Sequence, residues 1–187
     1  MRVIAGRLGG RRLRAPRGDT TRPTSDRVRE ALFSMLGALD GAAVLDLFAG
    51  TGALGIEALS RGARRAVFVE RHAAAIRVLR ANLERLGLAG EEAELRVGDA
   101  LAALRAAREA GETYDLVFLD PPYRQAPELG AELSALLPAL LAPGARVVVE
   151  SDRRAPAELQ MEVVQSRRYG DTTITIHRHA TEGTDEH

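Results

Sequence analysis

Residues 46–55 read Asp46-Leu47-Phe48-Ala49-Gly50-Thr51-Gly52-Ala53-Leu54-Gly55. Gly50, Gly52 and Gly55 fit the pattern G-x-G-x-x-G, in which glycines let the chain turn tightly and let backbone approach a bound cofactor. The preceding residues, 44–47, form a short β-type run, and residues 53–61 repeat apolar positions at helical spacing. Strand, glycine turn and helix in that order open a βαβ unit. The pattern alone does not choose among nicotinamide, flavin and other adenosine-bearing cofactors.

Working outward, β-type runs recur at 66–69, 94–97, 116–119 and 146–149, separated by helical stretches at 73–86, 100–110 and 127–141. Helices between successive strands predict a parallel sheet. Two last runs, 161–165 and 172–177, are joined by a Tyr169-Gly170-Asp171 turn too short for a crossover, so they should pair antiparallel. The expected fold is α/β: a doubly wound, Rossmann-like sheet of seven strands ending in a hairpin. Ahead of it, 3–5 and 11–14 flank Leu8-Gly9-Gly10 as a small hairpin, and Thr24 or Ser25 caps a helix over 26–36. Val28, Ala31, Leu32 and Met35 are its expected buried face. The organisation is therefore a basic extension at 1–40, a catalytic domain at 41–178 and a disordered polar tail at 179–187.

Composition narrows the function classes. The 187 residues carry no net charge and no cysteine, which leaves no thiolate metal site and no disulfide. No apolar run approaches the ~18 residues of a membrane span, and a cytoplasmic monomer is the expectation. The charge is unevenly spread: residues 1–30 hold nine arginines against Asp19, Asp26 and Glu30, a local charge of +6 balanced by −6 in the remainder. A basic end on an acidic domain points to a polyanion.

The strand ends carry acids. Asp46, Glu70, Asp99 and Asp120 follow the first four runs, at the edge where open α/β sheets bind ligands. Glu70 lies 20 residues after Gly50, placed to accept the ribose hydroxyls of an adenosine. Asp46 then separates the cofactors. A carboxylate four residues before Gly50 repels a pyrophosphate, whereas it attracts the ammonium and sulfonium of S-adenosylmethionine. Asp99 can accept from the adenine amine, and Phe48 and Ala100 adjoin these positions as further cofactor contacts. No metal ligand set is evident.

Asp120-Pro121-Pro122-Tyr123 is the most specific signal. Two prolines remove backbone donors and stiffen the turn, so Asp120 and the carbonyls make an acceptor cluster for an NH₂ group, with Tyr123 a stacking face for a base. Holding the amine hydrogens in acceptors directs the nitrogen lone pair at the sulfonium methyl. A base inside a duplex cannot reach such a site without being extruded.

These residues together resemble the class I S-adenosylmethionine-dependent methyltransferases that act on amino nitrogens. The stretch TRPTSDRVREALFSML (residues 21–36), after the MRVIAG start, is similar to the RsmD family of bacterial 16S ribosomal RNA guanine-N2 methyltransferases. That resemblance implies cofactor contacts at Asp46, Gly50, Gly52, Glu70 and Asp99, and catalysis at Asp120, Pro121, Pro122 and Tyr123. It implies a guanine of the small-subunit rRNA as target, in an assembled or partly assembled subunit. Arg22 and Thr24 would touch the methionine end of the cofactor, and Arg7, Arg11, Arg12 and Arg14 would face RNA phosphates. Alternatives left open are an adenine-N6 DNA or glutamine-N5 protein methyltransferase, a nicotinamide-dependent oxidoreductase and a non-catalytic nucleotide-binding module.

Overall fold

The computed structural model describes residues 1–15, 25–121, 126–152 and 158–180. The chain divides into two compact units, Met1–Ala100 and Leu101–His187. The first contains α1 (Asp26–Leu36), β1 (Ala43–Asp46), α2 (Ala53–Ser60), β2 (Arg65–Glu70), α3 (Ala73–Leu86) and β3 (Ala93–Val97). Its strands lie in the order β3-β2-β1 and all pair parallel, with Asp46 level with Phe68 and Glu70 level with Val97. The second unit follows with α4 (Ala100–Glu109), β4 (Tyr114–Leu119), α5 (Ala126–Leu136), a 3₁₀ turn at Leu137–Leu140, β5 (Leu141–Asp152), β6 (Glu162–Tyr169) and β7 (Thr172–Arg178). Its order is β4-β5-β7-β6, with β4 and β5 parallel and the final hairpin antiparallel to both neighbours.

The central strands are buried on both faces: Val44, Leu45, Ala66–Val69 and Leu116–Leu119 are at most 2% exposed. That explains their near-continuous apolar runs, which a two-sided helical cover requires. Among the described residues no helix is long and apolar enough to cross a membrane.

Several boundaries differ from expectation for identifiable reasons. The helix expected over 127–141 stops at Leu136 and tightens into a 3₁₀ turn, with Pro138 at its start. Proline has no N–H to extend an α-helix and its ring clashes with the preceding turn. β5 therefore begins at Leu141 rather than near 146. The expected amino-terminal hairpin is a single antiparallel bridge, Arg2 with Arg12, flanked by Val3 N–H to the Arg11 carbonyl at 2.9 Å and Leu13 N–H to the Met1 carbonyl at 3.1 Å. It extends no further because the amides of Ile4, Ala5, Arg7 and Leu8 bond Glu57 and Ser60 of α2.

The buried face of α1 also differs. It is Arg29, Leu32, Phe33 and Leu36, with Val28, Ala31 and Met35 only half-buried. Arg29 is fully buried, yet Nη2 donates to the Arg2 carbonyl and, over 2.8 Å, to Asp26. Among the described residues its Nε and Nη1 have no partner, and burial lowers its pKa against the opposing pull of Asp26 and Glu57. Glu57 of α2 is equally buried. It accepts the amides of Ile4 at 2.7 Å and Ala5 at 3.0 Å, plus Arg61 Nε at 2.7 Å. Arg61 in turn lies 4.9 Å over the Phe33 ring of α1. Two buried charges of opposite sign thus hold the first five residues by their backbone.

Glu57→Ala leaves the Ile4 and Ala5 amides without their acceptor and Arg61 without its carboxylate. Each orphaned donor costs about 1–3 kcal/mol, so we expect a loss of about 3 kcal/mol in denaturant unfolding. Faster amide exchange should accompany it in residues 2–13. A loss below about 1 kcal/mol would mean that Glu57 does not hold the segment.

Candidate functional site

The glycine turn is shaped by three different demands. Gly50 has φ of +53°, in the left-handed region, and a Cβ there would meet only the Phe48 carbonyl, at 4.0 Å. Its side is open and glycine is needed for conformation. Gly55 is the reverse: a Cβ would lie 2.3 Å from Phe68 Cε1, so glycine is needed for close packing of α2 on β2. Gly52 combines both, with φ of +81° and Leu79 Cδ1 2.3 Å from the Cβ position. Its amide is used within the turn, donating to Ala49 at 2.7 Å. Of the three glycines, only Gly50 has room for a ligand beside its α-carbon.

Glu70 locks this turn from below. It is 8% exposed; Oε2 accepts the Gly50 amide at 2.8 Å, and Oε1 accepts the Arg71 and His72 amides, each at 2.8 Å. The 20-residue spacing read from the sequence is thus a direct contact between the carboxylate and the turn. Each carboxylate oxygen offers two lone-pair sites; Oε1 uses both and Oε2 one, which leaves a site on Oε2 for a ligand hydroxyl. Gly98, beyond β3, donates to the Glu70 carbonyl at 3.0 Å, bringing the ends of β2 and β3 together. Asp99 is half-exposed, 3.8 Å from Arg71, and Ala100 is buried at the start of α4. Phe48 is half-buried between β1 and the turn.

Asp46 is the unusual group. It is 3% exposed at the end of β1, and Oδ2 accepts the Gly55 amide at 3.1 Å. It therefore caps the first turn of α2, whose N-cap residue, Gly52, has no side chain to do so. Burial drives its pKa up from 3.8 to about 7; the Gly55 amide pulls it back in part, and the negative charge of Glu70 pushes it further up. An ionised Asp46 wants a cation.

Asn82 was not foreseen. This fully buried residue of α3 takes the Arg14 amide on Oδ1 at 2.8 Å, and its Nδ2 donates to the Thr51 carbonyl at 3.0 Å and the Arg14 carbonyl at 3.2 Å. It joins the amino-terminal segment to the glycine turn. The available signal was a polar residue in the apolar stripe Ile76, Leu79, Leu83, Leu86. His72, exposed at the N-cap of α3, makes no side-chain cap bond.

Among the expected RNA-facing arginines, Arg7, Arg11, Arg12 and Arg14 are all exposed, and Arg7 is ion-paired with Glu92. In the second unit Asp120 is exposed directly after β4 and Pro121 is buried. Pro122, Tyr123, Arg22 and Thr24 lie outside the described residues.

A family model described as "Conserved hypothetical protein 95" matches residues 1–178. The Ribosomal RNA small subunit methyltransferase D of Haemophilus influenzae is 36% identical over 159 residues, covering 83% of this chain and 81% of that one. The chain belongs to the RsmD family. The Bacillus subtilis protein YlbH is 41% identical over 187 residues, covering 95% and 98% of the two chains. The solved structure of Escherichia coli yhhF superposes with a TM-score of 0.81 at 34% identity, over 97% of this chain and 99% of that one. The fold is the Rossmann-like α/β methyltransferase fold expected from the sequence.

Two outcomes are expected. A folded-state pKa raised from 3.8 to about 7 means that the native state keeps a proton the unfolded chain has lost. Stability from this group therefore falls as pH rises from about 4 to about 7 and is level above, by up to about 4 kcal/mol. Asp46→Asn, which keeps an acceptor for Gly55, should flatten that slope and stabilise the ligand-free protein at pH 8 by about 2–4 kcal/mol in urea titrations. An unchanged slope would return the proton to another group. Gly55→Ala should cost about 1–3 kcal/mol through overpacking against Phe68, whereas Gly50→Ala pays only the smaller strain of a left-handed alanine.

Proposed function

We propose that this chain transfers a methyl group from S-adenosylmethionine to the exocyclic N2 amine of one guanine in 16S ribosomal RNA, within an assembled or partly assembled small subunit. The observation that carries the reading is Asp46, a buried carboxylate with its pKa raised to about 7, next to a glycine turn with one open side at Gly50. A pyrophosphate would deepen the cost of that charge; the ammonium and sulfonium of S-adenosylmethionine relieve it. Membership of the RsmD family supports the choice.

In this reading Glu70 accepts the ribose hydroxyls, Asp99 the adenine amine, and Gly50, Gly52, Phe48 and Ala100 line the cofactor. S-adenosylmethionine supplies the electrophilic methyl. Asp120 and the carbonyls of the Asp120-Pro121-Pro122-Tyr123 turn hold the guanine amine so that its lone pair faces that methyl. The N–C bond forms as the S–C bond breaks, its electron pair returning to sulfur as a neutral thioether, and the amine proton leaves to Asp120 or solvent. Orientation of this kind is the main lever left to a protein that supplies no covalent nucleophile. Residues 1–40, with Arg22 and Thr24, cover the cofactor and present Arg7, Arg11, Arg12 and Arg14 to phosphates. The activity places the protein in the cytoplasm, where small subunits are assembled.

The direct test is tritium transfer from labelled S-adenosylmethionine to small subunits lacking the modification, followed by nucleoside analysis for N2-methylguanosine. Incorporation into DNA adenine or a protein glutamine instead would reassign the substrate. Asp120→Ala should abolish turnover while leaving S-adenosylhomocysteine affinity within a few-fold; a large loss of affinity would give Asp120 a different role. Because the cation binds ionised Asp46, affinity for S-adenosylhomocysteine should weaken towards tenfold per pH unit below about 7, and Asp46→Asn should remove that dependence in calorimetry.

A further inference from the structure

The paired rows of the second unit show what shares an edge with Asp120. Leu119, which precedes it, pairs with Val149 of β5; Val149 pairs with Thr175 of β7, and Thr175 with Ser166 of β6. One row further, Glu150 pairs with Ile174 and Ile174 with Arg167; the next row is Ser151, Thr173 and Arg168. The edge strand thus brings two arginines to the rim where β4 delivers Asp120. Three strand spacings separate β4 from β6, about 14 Å, or about four steps along a nucleic-acid strand at 3.4 Å each.

Both arginines are exposed, and among the described residues neither is ion-paired. Successive strand residues point to opposite faces, so Arg167 and Arg168 straddle the sheet edge. Of the described carboxylates at this rim, Glu150 is buried and Asp152 half-buried on β5, and Asp171 is exposed in the hairpin turn beyond Tyr169. Among the described residues of this rim, Asp120, Glu150 and Asp152 stand on the β4–β5 side and the two exposed arginines on the outer strand. A polyanion whose base enters on the acidic side finds its backbone over the basic one.

Resting on the reading of the chain as an rRNA methyltransferase, we infer that the β6 edge, through Arg167 and Arg168, is a second RNA-binding surface that holds phosphates flanking the target nucleotide. It is separate in sequence from the amino-terminal arginines. Phosphate contacts of this kind fix register without reading sequence.

The test compares the full-length wild type with Arg167→Ala/Arg168→Ala and with a control that removes equal charge from α3, Arg77→Ala/Arg80→Ala. Each is checked for thermal unfolding, for affinity to small-subunit rRNA between about 50 and 200 mM salt, for methyl transfer at saturating RNA and for sedimentation. The inference expects the β6 variant to lose about tenfold in affinity at 100 mM salt and about 1.5 from the slope of log affinity on log salt. Its turnover at saturation and its melting should stay as in the wild type, with the control unchanged throughout. An unaltered slope in the β6 variant, or an equal loss in the control, overturns it. Wild type that binds rRNA with this Arg167/Arg168 dependence yet methylates none refutes the proposed function and leaves the surface standing. The same strand also exposes Val163 at 54% and Val164 at 40%. A wild-type dimer that Val163→Arg dissociates would give the edge to a second copy of the chain and overturn the inference.

Discussion

A carboxylate that the fold removes from water must find a proton, hydrogen-bond donors or a cation. At Asp46 the fold supplies one amide, Gly55, and a neighbouring negative charge, Glu70. The first unit is arranged around that deficit. The strand ends where the acid stands, the turn bends so that α2 starts against it, and the helix lacks a cap of its own because Asp46 reaches back to provide one. Glu70 draws the amides of Gly50, Arg71 and His72 to itself and so fixes the other side of the same turn. The ligand-free protein therefore stabilises the ionised carboxylate poorly, at the carboxyl end of a strand, the edge where open α/β sheets bind ligands. Instability stored there is available to a cationic ligand, and this is a common relation between stability and function.

The parts of this design that use side-chain type at fixed spacing were legible in the chain. Alternating runs and helical stretches placed the strands to within a few residues. The 20-residue interval from Gly50 to Glu70 corresponds to a hydrogen bond, and Asp46, read as a strand-end acid, stands at the end of β1, where it also caps α2. Three buried polar residues were not legible. Arg29 stands among polar residues in sequence, Glu57 is a lone acid within the apolar run Ile56–Leu59, and Asn82 interrupts the apolar stripe of α3. Their partners are backbone groups 27, 53 and 68 residues away, and backbone carries no mark in a sequence. Only the interruption of an apolar stripe, as at Asn82, hints at them. The overrun of the helix at 127–141 has a plainer cause: the apolar periodicity continues past Pro138, where proline ends the α-helix.

These three residues also change how the amino-terminal segment is understood. The sequence presents that segment as a basic arm that carries only a small hairpin of its own. The described part of that arm is instead fastened at Arg2, Ile4, Ala5 and Arg14 by groups from α1, α2 and α3, while Leu8 and Arg7 bond Ser60 at 3.0 and 2.8 Å. Its charges are thereby held on a base fixed by hydrogen bonds.

Fastening of this kind has an order in time. Ile4 waits for Glu57, and Arg14 waits for Asn82, 68 residues later in the chain. At a synthesis rate of about 5–20 residues per second, that last interval alone is roughly 3 to 14 seconds. Over that interval the most basic part of the chain is complete before its last partner exists, so it is fastened in stages, at α1, then α2, then α3.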